Sequence, residues 1–321
     1  MKKGSGKRSK TQKQQATGAG KPAPASRIVS EKIMRDLDRV LEGREFADID
    51  EANAFLATLT GQGPQEALLD DAPASAKWEA QDLAFDALEA KTAAAARKLA
   101  RRALKKDPDC VDALVVLAQI DSKSSQEMIA ALEKAVAAGE RSLGKKFFAE
   151  NKGDFWGLIE TRPYMRARLQ LAELLRAEDR CPEAIRHYEG LLELNPNDNQ
   201  GARDILLGCY LAADDLAGAR RLFRQYKNDY SVVFAWARAL ERFLANDLNG
   251  AAKELKAARQ RNRFVELYFG GQKKIPESTP DSYALGSEEE ALICVELLAE
   301  AWATHKEAVF WLLDQMQTIE H

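Results

Sequence analysis

The sequence predicts an all-α protein, a right-handed α–α superhelix of stacked helix pairs behind a disordered basic N-terminal tail. Three observations lead there. From about Ser30 onward Ala, Leu, Glu, Lys and Arg dominate, and aromatic residues make up only 7% of the chain, the usage of a mostly helical protein. Two segments, Leu83-Ala84 through Ala96, Ala103 and Pro108, and Leu171-Ala172-Leu175 through Ala184, Tyr188, Leu191 and Pro196, carry small and large apolar residues at matching offsets. A helix pair of that length cannot bury its apolar face alone and must stack on copies of itself. Residues 1–29 hold eight Lys or Arg and no acid, so the formal charge of −3 leaves about −11 on the remainder. Built from Lys, Gly, Ser, Gln, Ala and Pro, the tail has too little apolar surface to offset its conformational entropy.

After the tail, Ser30 is placed to cap a helix through Glu42, with Ile33, Met34, Leu37, Val40 and Leu41 on one face. A shorter helix at 49–59 presents Ala52, Phe55 and Leu56, and Gly61 to Pro64 then breaks the pattern into a linker ending near Ser75. The first repeat spans 77–108, its helices meeting near Lys91, and the second spans 109–139. Pro108 and Pro196 end helices because proline has no amide for the next turn. The period fails at about 140–162, which reads as an insertion, and resumes in a third repeat at 163–196. Tyr210, Ala219 and Phe223 follow Leu175, Ala184 and Tyr188 by 35 positions and mark a fourth repeat. A fifth, at 231–262, keeps Leu240, Phe243, Ala251, Leu255 and Ala258. Beyond Arg263 the pattern changes, and after a loop with Pro276 and Pro280 the Ser287/Glu290 spacing opens another helix, followed by one carrying Val309, Phe310, Leu312 and Leu313. The chain thus divides into a tail (1–29), a helical lead-in and linker (30–76), repeats (77–262) and a C-terminal helical cap (263–321). Helix pairs of about 34 residues with small residues at the crossings are the signature of a tetratricopeptide repeat solenoid.

Catalytic chemistry has little material. His187 sits inside a repeat helix, His305 in a late turn and His321 at the end, and no HExxH, GxxxxGK[ST], GxSxG or GxGxxG pattern occurs. Cys110, Cys181, Cys209 and Cys294 are far apart and form no CxxC pair, which argues against a disulfide framework or a zinc site. The expectation is a protein that is not an enzyme and has no metal or cofactor. No run approaches the roughly 20 apolar residues of a membrane span, and no secretory apolar stretch opens the sequence, so the expected location is cytoplasmic, with no membrane contact.

The insertion and the helix after it, KKFFAENKGDFWGLIETRPYMRAR at 145–168, are the least generic part of the chain. Aromatics beside arginines are the composition of binding hot spots, although the same rings could instead fill the gap left by a broken repeat. The first helix of each pair lines the inner face of such a solenoid, which here presents Trp78, Gln81, Phe85, Asp112, Val115, Gln119, Arg166, Leu169, Glu173 and Arg176. Tetratricopeptide domains that seize a chaperone's terminal carboxylate use a clamp of basic and asparagine residues, and the corresponding places here hold Gln81, Phe85, Val115, Gln119, Leu169 and Glu173, so such a clamp is not expected. The candidate partner-binding residues are Phe85, Phe155, Trp156, Arg162, Tyr164, Arg166, Leu169 and Glu173.

Four ordered segments extend this reading: DPDCVDALVVLA at 107–118, ENKGDFWGLIETRPYMRARLQLAELL at 150–175, HYEGLLELNPNDNQG at 187–201 and GSEEEALICVELLAEAW at 286–302. On these segments the stretch from Ala80 to Leu313 resembles the suppressor of tumorigenicity 7 family and its bacterial tetratricopeptide relatives. The resemblance implies a helical repeat protein with an interaction role and carries over no catalytic residue. The expected partner is a protein or peptide held in the groove; the alternative is a nucleic-acid-associated adaptor acting through the basic tail.

Overall fold

The computed structural model describes residues 25–41, 44–59, 75–278, 280 and 282–317. The basic tail up to residue 24 and the linker at 60–74 lie outside the described residues. Among the described residues there are fifteen α-helices and no strand, so the chain is all-α. They are α1 (Ala25–Leu41), α2 (Ile49–Leu59), α3 (Ala76–Leu88), α4 (Ala93–Lys106), α5 (Val111–Asp121), α6 (Ser125–Glu150), α7 (Arg162–Ala177), α8 (Cys181–Leu194), α9 (Ala202–Ala212), α10 (Leu216–Gln225), α11 (Val232–Leu244), α12 (Leu248–Arg261), α13 (Val265–Phe269), α14 (Glu288–Thr304) and α15 (Lys306–Gln317).

Helices α3 to α12 form five hairpins, and each hairpin packs on the next. The short turns within them have a local chemical cause. Asp179, Asp214 and Asn246 take left-handed backbone (φ 58, 57 and 58°) between the two helices of a pair, a conformation short polar side chains tolerate. Asp215 and Asp247 follow two of these residues and accept hydrogen bonds from the Gly218 and Gly250 amides, capping α10 and α12. The adjacent acids at 214 and 215 therefore divide the work of one turn. Ala184, Ala219 and Ala251, fully buried on the second helices, leave room for each pair to cross closely.

The first helices lie side by side, α3 against α5, α5 against α7, and α9 against α11. Helix α5 is shared between two apolar clusters: Ala113 and Val116 face the α3–α4 pair, while Val111 and Val115 face the larger core that runs on to α15.

Three boundaries differ from the periodic reading. Helix α1 begins at Ala25, so Ser30 lies inside it rather than at its cap. Helical structure does not stop at Gly139 but continues to Glu150, broken at Gly144 (φ 78°), where a residue without Cβ permits the bend. The inserted segment then makes two 3₁₀ turns, Phe155–Gly157 and Ile159–Thr161, before Pro163 sits in the first turn of α7.

Helix α14 lies across the first helices α9 and α11 and also touches α13 and α15. Ser287 caps it by accepting from the Glu290 amide. Glu290 is buried, and its carboxylate accepts from Gly286 N (2.8 Å) and Asn262 Nδ2 (3.0 Å), while Glu288 pairs with Lys273 at 2.7 Å. The acidic triplet is thus partly an anchor. Trp302 stacks on Phe269 (4.9 Å between centroids) and meets Trp236 edge-on (6.3 Å), joining α14, α13 and α11.

Candidate functional site

On α7, Arg162, Arg166, Leu169 and Glu173 recur at helical spacing and share one face. The preceding 3₁₀ turns set the start of that face. Thr161, fully buried, donates its hydroxyl to the carbonyls of Phe155 and Leu158, and Arg162 donates Nε to Trp156 O at 3.2 Å with its guanidinium 5.3 Å from the indole centroid.

Arg166 is the centre of a polar chain that crosses four helices. Its Nη1 donates to both carboxylate oxygens of Glu31 on α1 (2.8 and 2.7 Å), and its Nη2 to Asp112 Oδ2 on α5 (2.6 Å). Asp112 also accepts from Gln81 Nε2 on α3 at 2.6 Å. Burial works against the charged guanidinium, but Asp112 and Glu31 outweigh it and hold the Arg166 pKa above its ordinary value. The first helices α3, α5 and α7 are therefore tied across their shared face by charge.

Helix α1 lies on that face. Arg35 pairs with Asp82 of α3, and its guanidinium sits 5.1 Å from the centroids of both Trp78 and Phe85. Glu31, Arg35, Asp36 and Val40 are buried, whereas Ile33 (46%) and Met34 (38%) are exposed. The apolar stripe legible in the sequence is thus split, and part of the charged edge turns inward. Burial lowers the Arg35 pKa despite Asp82, and burial likewise raises the Asp36 carboxyl.

Between α1, α3, the end of α6 and the 3₁₀ turns lies a cavity of about 750 Å³, bounded by Glu31, Arg35, Trp78, Phe85, Leu143 and Phe147. It combines apolar walls with converging charged groups, the usual constitution of a binding cleft.

The eight sequence candidates separate. Phe155 and Tyr164, expected as contact residues, are 0% and 1% exposed and belong to the core. Phe155 packs 4.8 Å from Phe148, and Phe148 meets Tyr164 edge-on at 5.3 Å, so these rings fill the space left by the broken period. Phe85 is covered by Arg35 and walls the cavity. Arg162 and Arg166 both meet Glu31 of α1, and Trp156 lies against the Arg162 guanidinium. Leu169 is half-buried against the core. Glu173 lies toward the other end of the face, where burial, opposed by Arg176 and reinforced by Glu296 of α14, raises its pKa. Glu31, Arg35 and Asp82 were not among the candidates. Their only sequence signal is an acid and a base four residues apart on α1, and such pairs are common on solvated helices.

Burial disfavours the charged forms of all four cysteines and of His187. Burial pushes the Cys110 and Cys209 thiols up to about 12, and burial with Arg168 and Arg186 nearby lowers His187 to about 4. No helix of the described residues is long and apolar enough to cross a membrane. No protein-family model matches the chain, and a search of curated proteins finds no match.

Proposed function

We propose that the chain is a tetratricopeptide-type solenoid, a right-handed superhelix of the five hairpins, that acts in the cytoplasm as a scaffold and holds a protein or peptide segment on the face formed by its first helices. The repeating hairpins with small residues at their crossings, and the side-by-side first helices, support the fold type. The observation that carries the function is the cavity of about 750 Å³ on that face, where aromatic and aliphatic walls meet Glu31, Arg35 and Gln81. Apolar walls supply contact area, and the charged rim fixes register.

A wall substitution tests this. Leu143 is half-buried at the cavity edge, with one side against the main core, so Leu143→Arg places a charged side chain in the cavity and its fold is checked alongside binding. Quantitative affinity capture with the full chain is expected to lose, at least tenfold, the proteins held by wild type, with helical circular dichroism unchanged. An identical captured set would contradict the assignment.

A further inference from the structure

Helix α1 occupies the proposed binding face in an unusual way. It inserts Glu31 and Arg35, one turn apart, into two complementary seats, with Arg166 receiving the carboxylate and Asp82, Trp78 and Phe85 receiving the guanidinium. A second charge relation runs along the edge, with Arg162 3.9 Å from Glu31. The seats are thus specific for an acid and a base at i and i+4 on a helix.

The fit is incomplete. Arg35 Nε and Nη1 are buried with no hydrogen-bond partner, and an orphaned charged donor costs more than a neutral one. Buried ion pairs return little net energy once both ions are desolvated. Ile33 and Met34 face outward, and the α1 residues that line the cavity, Glu31, Arg35, Asp38 and Leu41, leave about 750 Å³ of it open beside Trp78, Leu143 and Phe147. A well-matched ligand of this face would keep the charged pair and add a large apolar side chain for the cavity.

Resting on the binding reading above, we propose that α1 is an internal stand-in, exchanging with a partner's amphipathic helix that carries a carboxylate and an arginine one turn apart, followed by a bulky apolar residue. Charge complementarity identifies the occupant. Because α1 and the partner compete for one face, the chain binds the partner more weakly than its groove allows, by the fraction of time α1 is away.

The test uses a fluorescent synthetic peptide of residues 25–44 and the full chain. In the chain variant Glu31→Lys with Arg35→Glu, α1 no longer matches its seats, and the peptide is expected to bind at least tenfold more tightly than to wild type. Adding Arg166→Glu to that variant is expected to abolish binding. A charge-exchange pair checks the result independently of how the first variant folds: the chain with Asp82→Lys should prefer a peptide carrying Arg35→Glu over the wild-type peptide. Equal peptide binding by wild-type and released chains, or binding indifferent to Arg166 and Asp82, would overturn the proposal. A dimer in light scattering that Arg35→Glu dissociates would also overturn it, since the occupant would then be a second copy's α1. If the peptide arms fail while Leu143→Arg still loses captured proteins, the groove reading stands and only the stand-in falls. If both fail, the groove reading falls as well.

Discussion

Asp112 and Glu31 share Arg166 but sit on helices of different standing. Asp112 belongs to α5, locked between two apolar clusters, and is 3% exposed, so its loss leaves Arg166 and Gln81 without a carboxylate they cannot escape. Asp112→Ala is expected to cost about 3–5 kcal/mol of unfolding free energy, read by urea denaturation. Glu31→Gln is expected to cost about 1 kcal/mol, because Arg166 keeps its bond to Asp112 and an α1 that exchanges as proposed lets water replace the lost carboxylate. Equal losses would place α1 in the cooperative core. Asp204 offers a pH test. Its Oδ1 is sealed from solvent without a partner; burial, against Arg203 and with Asp229 and Asp198, raises its pKa from 3.8 to about 7. The folded state therefore holds this proton more tightly than the unfolded chain does. Stability fully present below about pH 4 is lost as pH rises through about 7. Asp204→Asn should remove that decline, seen as thermal midpoints that diverge from wild type between those values; parallel curves would refute the assignment.

At the scale of elements, α14 depends on close approach. A Cβ at Gly208 of α9 would lie 2.3 Å from the Leu297 carbonyl oxygen, so the helices touch where only glycine fits. Gly208→Ala is expected to cost about 1–3 kcal/mol and to speed amide exchange in α14 while leaving α3–α5 protected. Uniform protection would mean that α14 does not rely on this contact. The hairpins themselves were legible in the sequence because alanines at crossings and large residues one turn away report packing between neighbours in the chain. Ser287 was legible as a cap for the same local reason. The seat of α1 was not, since Arg166 and Glu31 are 135 residues apart and hydrophobic periodicity carries no record of such a pair. Composition also gave no measure of depth: Phe155 and Tyr164 have the same character as Trp156 but lie in the core. The start of α1 at Ala25 rather than Ser30 shows the limit of reading a boundary from one capping residue.

For the molecule as a whole, both stretches of the first-helix face carry a helix from outside the five hairpins. Helix α1 covers α3 and α7 by charge, and α14 covers α9 and α11 by apolar packing. The two covers differ in kind. Apolar burial of Leu298, Ala301 and Trp302 is worth several kcal/mol in sum and makes α14 part of the core, whereas buried ion pairs on α1 nearly cancel against desolvation. The proposed binding role therefore falls to the α1 end, where the cavity lies. The most direct measurement is photo-crosslinking in cells from a benzophenone residue placed at Leu143 on the cavity wall, compared with one at exposed Lys105 on α4. Discrete protein adducts are expected from position 143 that position 105 does not give; no adduct from 143, or the same products from both, would contradict a binding cavity at the α1 end.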